Sequence, residues 1–167
     1  MVAAIEAALQ LHRAGRLLEA ERAYRDLLRL HPDSPDVLHL LGALQHQQRD
    51  FTAAAATFSR VLALKRDHPE ARRGLSEALL GQGLVEQAIL VAREGVERSP
   101  AHAPLRFTLG GALRRAGQLD AAIVEFAEAA RLQPGLAEAQ GNLSAARLAG
   151  GRPDEAERAC TEALRAR

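Results

Sequence analysis

The chain repeats a 34-residue pattern from its first block to its last without an insertion or a deletion. With blocks that begin at residues 1, 35, 69, 103 and 137, position 20 is alanine in all five blocks and position 8 is always alanine, glycine or serine. Position 15 is glycine in four blocks and Arg49 in the second, and position 32 is Arg66 in the second block and proline in the first, third and fourth. A period of this length predicts supersecondary units that stack, because one unit cannot bury its apolar surface alone.

Each block carries the pattern of two helices. In the fourth block an apolar stripe lies on one side of a first helix, formed by Leu105, Leu109, Ala112, Leu113 and Ala116. Glycine at position 15 suits the left-handed residue that ends a helix, and a second stripe then runs to the proline at position 32. Aromatic residues make up only 3% of the chain, so leucine and alanine, which favour helices, must supply the core. We therefore predict an all-α fold.

The charge balance and the single cysteine exclude several classes of protein. Lys and Arg number 22 against 21 Asp and Glu, so the net charge of +1 provides no field to attract nucleic acid or an anionic membrane. No segment approaches the roughly 20 apolar residues of a membrane-spanning helix. Cys160 is the one cysteine, which excludes an internal disulfide framework. We expect a cytoplasmic protein without a nucleic-acid or membrane partner.

The residues that could carry chemistry do not form a catalytic or metal-binding pattern. His12 and His46 share position 12, and His39 lies seven residues before His46, but these spacings are too wide for imidazoles that share a zinc ion. Cys160 occupies position 24, where a core residue is expected, and the carboxylates occupy positions expected to face solvent. No glycine-rich phosphate loop follows a strand pattern. We expect no enzyme, no cofactor and no metal site.

The pattern resembles the tetratricopeptide repeat, which has Leu-Gly at positions 7 and 8, alanine at 20, an aromatic residue at 24 and proline at 32. The fourth block matches best, with Leu109, Gly110, Ala122, Phe126 and Pro134. The resemblance implies a right-handed superhelical solenoid of five helix-turn-helix repeats and ten antiparallel helices. These form a single domain over residues 1–167, with repeats 1–34, 35–68, 69–102, 103–136 and 137–167.

Departures from the family pattern indicate where the packing of the repeats should differ. Position 4 is never tryptophan, and position 24 is Ala92 in the third block and Cys160 in the fifth. Since Gly95 also replaces the alanine of position 27, we expect the third block to be the most loosely packed. The fifth block is followed by no sixth repeat, so it is either a terminal cap or the end of the repeat portion of a longer polypeptide.

In the family, the first helix of each repeat lines the concave groove that holds the ligand. The resemblance therefore implies a peptide- or protein-binding groove, and the candidate groove residues are His39, His46, Arg73, Glu77, Phe107, Arg114, Arg115 and Asn142. The carboxylate-gripping set of the chaperone-binding members is not reproduced, because Glu77 stands where that set has asparagine. An alternative for the arginines is that they are solvated and pair with Glu70, Glu77 or Glu138.

The function that follows is a non-catalytic scaffold for protein-protein interaction that binds a peptide or partner protein in the groove. A second hypothesis is a substrate-recognition segment of a larger glycosyltransferase or sulfotransferase, in keeping with a bacterial type of repeat. We expect a monomer, and self-association through an end helix is a third alternative.

Overall fold

The computed structural model describes residues 1–151, and within this range every regular element is an α-helix. The nine helices of this range are α1 (Val2–Arg13), α2 (Leu17–Leu30), α3 (Pro35–Gln47), α4 (Phe51–Leu64), α5 (Pro69–Gly81), α6 (Val85–Arg98), α7 (Ala103–Arg115), α8 (Leu119–Leu132) and α9 (Ala137–Ala149). The all-α prediction is thus confirmed for the described part of the chain. The predicted tenth helix and Cys160 lie outside it, and the right-handed superhelix remains a prediction.

The helices follow the 34-residue pattern closely. We call the odd-numbered helices A helices and the even-numbered ones B helices, so that repeat two is α3 with α4 and repeat four is α7 with α8. The B helices α2, α4, α6 and α8 all end at position 30, two residues before the proline or Arg66 of position 32. The glycines of position 15 have φ between 72° and 81°, the left-handed conformation expected of them. Arg49 takes the same conformation, with φ 64°, although it has a side chain.

The described chain forms two compact units, the first from Met1 to Gly83 and the second beginning at Leu84. In the first, the buried core holds Tyr24, Leu38, Leu44, Phe58 and Val61. In the second, it holds Leu105, Leu109, Leu113, Ile123 and Phe126. The boundary falls inside the third repeat, and the single domain over 1–167 stays a prediction.

Small residues let aromatic rings approach the helix backbones. A Cβ atom added to Gly42, at position 8, would lie 2.9 Å from Cε1 of Phe58, and one added to Gly74 would meet the same ring. At the equivalent place in repeat four, a Cβ on Gly110 would lie 2.8 Å from Phe126. Position 20 is also fully buried in repeats one to four, in agreement with its invariant alanine. Both observations support the predicted close contact between helices A and B.

Where the family has tryptophan at position 4, repeats three to five of this chain have polar side chains that reach back to the preceding repeat. Arg72 donates to the carbonyl oxygen of Arg66 at 3.2 Å, and Arg106 Nε donates to that of Pro100 at 2.8 Å. Gln140 makes the same contact with the carbonyl of Pro134 at 3.5 Å. Each of these acceptors is at position 32, so the bond satisfies a carbonyl just beyond the end of a B helix.

The expected looseness of the third repeat is not decided by burial alone. Ala92 and Gly95 are both buried in α6, and the prediction about their surroundings stands as a prediction. Among residues 1–151, no helix combines the length and the apolar character needed to cross a bilayer.

Candidate functional site

The candidate residues lie on one face of the A helices, at positions 2, 5, 6, 9, 12 and 13, which we call the A-helix face. In the first unit α3 contacts α1 and α5, and in the second α7 contacts α9, so neighbouring A helices bring their faces together. The predicted residues fall into two groups. His39, His46, Arg73 and Glu77 belong to the first unit, and Phe107, Arg114, Arg115 and Asn142 to the second.

A hydrogen-bonded chain links α1, α2 and α3 in the first unit. Nε2 of His12 lies 2.9 Å from Oε1 of Gln47, and Nδ1 lies 3.3 Å from the hydroxyl of Tyr24. Because the amide oxygen of Gln47 can only accept, Nε2 carries the proton of the neutral imidazole and Nδ1 accepts from Tyr24. Burial raises the pKa of Tyr24, so the hydroxyl stays protonated as this donor.

His39 is a half-buried ring wedged between aromatic neighbours, not a hydrophilic surface residue. It stacks on His68, with ring centroids 5.1 Å apart, and its centroid lies 5.6 Å from that of Phe58. Burial lowers the pKa of His39, and the neighbouring His68 lowers it further. His46 is similarly half-buried and meets the ring of Phe51 edge-on at 5.3 Å.

Arg73 and Glu77 pair with each other along α5. Nη1 of Arg73 lies 2.7 Å from Oε1 of Glu77, and the two side chains are 36% and 30% exposed. The guanidinium is thus on the A-helix face as predicted, but a carboxylate on its own helix already neutralises it. A ligand carboxylate at Arg73 would have to compete with this ion pair.

The second unit presents an aromatic ring, open space and exposed cations. Phe107 is half-buried against Phe126, with centroids 5.6 Å apart, while Arg114 and Arg115 are exposed in the last turn of α7. A methyl group added at Gly111 or Gly141 would meet no atom of residues 1–151 within 4 Å beyond its own helix backbone.

Asn142 and Leu148 complete this group on α9. The amide nitrogen of Asn142 donates to the Glu138 carbonyl of its own helix at 2.9 Å, so this donor is partly used within the helix. Leu148, at position 12, is 59% exposed. The face of the second unit therefore combines an apolar residue on each A helix with two exposed cations.

The sequence pattern missed one residue that packs against this face. His68 was not a candidate because it lies at position 34, outside the A-helix face, yet it stacks on His39 and caps α5. A histidine before proline at the start of a helix was the available signal for the cap. Within residues 1–151, no three His, Cys, Asp or Glu side chains are placed to hold a metal ion.

Comparison with protein families gives a match over nearly the whole chain. The model described as "Tetratricopeptide repeat" matches residues 5–69, 47–103, 85–137 and 107–167. These overlapping matches confirm the resemblance drawn from the 34-residue pattern. No curated protein matches the chain.

Solved structures of the same fold cover the chain almost completely. The crystal structure of MamA matches with a TM-score of 0.83 and 22% identity, over 95% of this chain and 93% of that one. TTC0263, a thermophilic TPR protein from Thermus thermophilus, matches with a TM-score of 0.80 and 25% identity, over 98% of this chain and 89% of its own. YrrB, described as a TPR protein with an unusual peptide-binding site, matches with a TM-score of 0.73 and 21% identity over 98% and 84%.

Proposed function

Because the chain belongs to the tetratricopeptide repeat family, we propose that it is a non-catalytic scaffold that binds a peptide or partner protein on its A-helix face. The same fold carries a peptide-binding site in YrrB, so the architecture is compatible with this function. The net charge of +1 and the absence of a bilayer-spanning helix in residues 1–151 favour a protein ligand over nucleic acid or membrane. The single cysteine is in keeping with a cytoplasmic location.

The face of the second unit is the observation that carries the proposal. Phe107 and Leu148 offer apolar contact, and Gly111 of the same face leaves open space where a side chain would stand. Arg114 and Arg115 add two exposed cations at the end of α7. This combination suits an extended peptide that carries an apolar side chain near an acidic group.

The proposal is tested with peptides of defined sequence. Random peptides displayed on phage are selected on the immobilised protein, and the enriched ones are synthesised and titrated by fluorescence polarisation. Each charge-assisted contact contributes about 1.5–3 kcal/mol. The double variant Arg114→Ala with Arg115→Ala is therefore expected to raise Kd by at least a hundredfold while the helical circular dichroism stays unchanged.

The matched control removes two exposed arginines from the B helices of the same unit, Arg93 of α6 and Arg131 of α8. This control variant has the same change in net charge, so it reports any general electrostatic attraction. We expect its Kd to change less than threefold, by analogy with the small effects of peripheral charges. If the control variant loses binding and the A-helix variant does not, the ligand binds the B helices and the proposal is wrong.

A further inference from the structure

The first turn of α5 is held by an imidazole. Nδ1 of His68 accepts a hydrogen bond from the backbone N–H of Ala71 at 3.2 Å, which is one of the unpaired amides at the helix start. An imidazole nitrogen accepts only when it carries no proton, so this cap requires neutral His68 with its proton on Nε2. Asparagine or serine would cap without any dependence on pH.

The same ring is packed against a second histidine. His39 of α3 lies nearly parallel to His68, with planes 24° apart, and its other neighbour is Phe58 of α4. Nδ1 of His39 is buried and has no hydrogen-bond partner within residues 1–151. Two stacked neutral rings pack well, whereas a charge on either ring would be poorly solvated here.

The charged groups around the pair determine what protonation would do. The carboxylates of Asp36 in α3 and Glu70 in α5 raise the pKa of His39, and the cation of Arg73 in α5 lowers it. Phe58 is the uncharged contact from α4. Glu70 is also close to His68, since its Oε2 lies 3.5 Å from Nδ1. A proton on Nδ1 of His68 would therefore exchange the bond from Ala71 for an ion pair with Glu70.

We propose that the stacked pair His39 and His68 is an acid-sensitive lock on the start of α5. At neutral pH His68 caps Ala71 and stacks on His39, which holds the first turn of α5 against α3. Protonation of His68 removes the acceptor, places a positive charge at the positive end of the helix dipole and turns the ring toward Glu70. The first turn of α5 is then released.

This lock bears on the proposed function through its position. Arg73 belongs to the A-helix face and follows the capped turn directly, so release of the turn would rearrange the face of the first unit. Only this consequence rests on the proposed function. The lock itself is a property of the free protein and is measured without any ligand.

The direction of the pH effect follows from linkage. Burial and the second histidine lower the pKa of His39 in the folded protein. The unfolded chain then binds more protons than the folded chain as pH falls below the ordinary histidine pKa of about 6.5. Stability contributed by the neutral His39 ring is complete above that pH and is lost as the pH falls toward the folded pKa of His39.

The test follows individual atoms by NMR while the free protein is taken from about pH 7.5 to about pH 5.5, across the ordinary range of histidine titration. The imidazole ¹⁵N shifts of His68 should show the Nε2–H tautomer at the higher pH. As the pH falls, the amide of Ala71 should shift together with these imidazole signals, and its hydrogen exchange should accelerate at least tenfold relative to the intrinsic rate at each pH. If the shift and the hydrogen exchange of the Ala71 amide do not change when the imidazole ¹⁵N shifts of His68 change, the proposal is wrong.

Two variants give an independent readout of the same lock. His68→Asn keeps a capping oxygen that does not titrate, and His31→Gln removes an exposed histidine from the same unit as the matched control. Over this pH range, wild type and His31→Gln should lose more of their folded-to-unfolded ratio than His68→Asn. Equal losses in all three proteins would contradict the lock. A failed peptide selection would contradict only the proposed function.

Discussion

Repeats two and four are built on the same frame but are stabilised by different chemistry. In both, a buried phenylalanine, Phe58 or Phe126, packs over a glycine of helix A and against the ring at position 5. That ring is His39 in repeat two and Phe107 in repeat four. The repeated backbone thus tolerates a titratable ring and an apolar ring in the same slot, and the exchange confers sensitivity to pH without altering the fold.

The two repeats also differ at positions 4 and 23, which face each other between helices A and B in repeat four. Arg106 and Glu125 form an ion pair of 2.9 Å there, with side chains only 16% and 18% exposed. Repeat two has buried Leu38 at position 4, while Thr57 at position 23 donates to Gln45 at 2.7 Å. Repeat two therefore fills these positions with an apolar side chain and a hydrogen-bonded hydroxyl, whereas repeat four fills them with an ion pair.

We expect the largest effect from removing one partner of the ion pair between Arg106 and Glu125. Arg106→Leu gives repeat four the position-4 residue of repeat two but leaves the carboxylate of Glu125 half-buried without its cation. We expect a loss of about 1.5–3 kcal/mol in the free energy of unfolding, because a charged group loses its hydrogen-bonded partner. Urea denaturation followed by circular dichroism at neutral pH measures the loss.

The double variant Arg106→Leu with Glu125→Thr installs both residues of repeat two and provides the control. Since the unpaired carboxylate is then gone, it should recover at least half of the stability lost by the single variant. If the double variant is less stable than Arg106→Leu alone, the residues of repeat two cannot replace the ion pair of repeat four at positions 4 and 23, and the comparison is wrong.

A smaller effect should distinguish glycines that touch a ring from glycines that face open space. Gly74 lies against the ring of Phe58, which is also in contact with the position of Gly42, so the ring cannot move away from a new methyl group. We expect Gly74→Ala to destabilise by about 1–2 kcal/mol through overpacking. Gly111→Ala, inside α7 with open space around its Cα, should stabilise by about 0.5–1 kcal/mol through helix propensity.

Thermal denaturation of the two alanine variants measures these opposite signs. A stabilised Gly74→Ala would show that Phe58 is free to shift, and the tight packing described for repeat two would then be wrong. In the fifth repeat, position 6 is occupied by Asn142, where the third repeat has Gly74. Asn142 has a side chain although Phe126 occupies position 24 of the repeat before it, so the tight fit at Gly74 is specific to the way Phe58 lies against both Gly42 and Gly74.

Much of the backbone was predictable because it depends on local rules that recur every 34 residues. Glycine at position 15 predicted the left-handed residues of every repeat but the second, and proline at position 32 predicted the ends of α2, α6 and α8. The site was less predictable. The stack of His39 on His68 joins positions 5 and 34 of repeat two, which lie at opposite ends of its sequence. The expectation that all carboxylates face solvent was wrong for Glu125, whose side chain is largely buried in an ion pair. Such contacts depend on how helices are juxtaposed, which helical periodicity within one helix does not specify.

The smallest effect concerns the one turn where repeat two departs from the backbone rule. Arg49 adopts φ 64° where repeat four has Gly117 with φ 75°. The left-handed conformation costs a residue with a Cβ atom about 1–2 kcal/mol. The guanidinium of Arg49 offsets part of this cost, since its Cζ lies 5.9 Å from the ring centroid of Phe51, a contact that contributes about 0.5–1 kcal/mol. Arg49→Gly should therefore stabilise by about 0.5 kcal/mol, and its melting temperature should rise by about 1–2 °C. Arg49→Ala keeps the strained Cβ and loses the contact with Phe51, so it should instead lower the melting temperature. If Arg49→Ala melts at the same temperature as wild type while Arg49→Gly melts at a higher one, the contact with Phe51 contributes nothing and strain alone distinguishes the two turns.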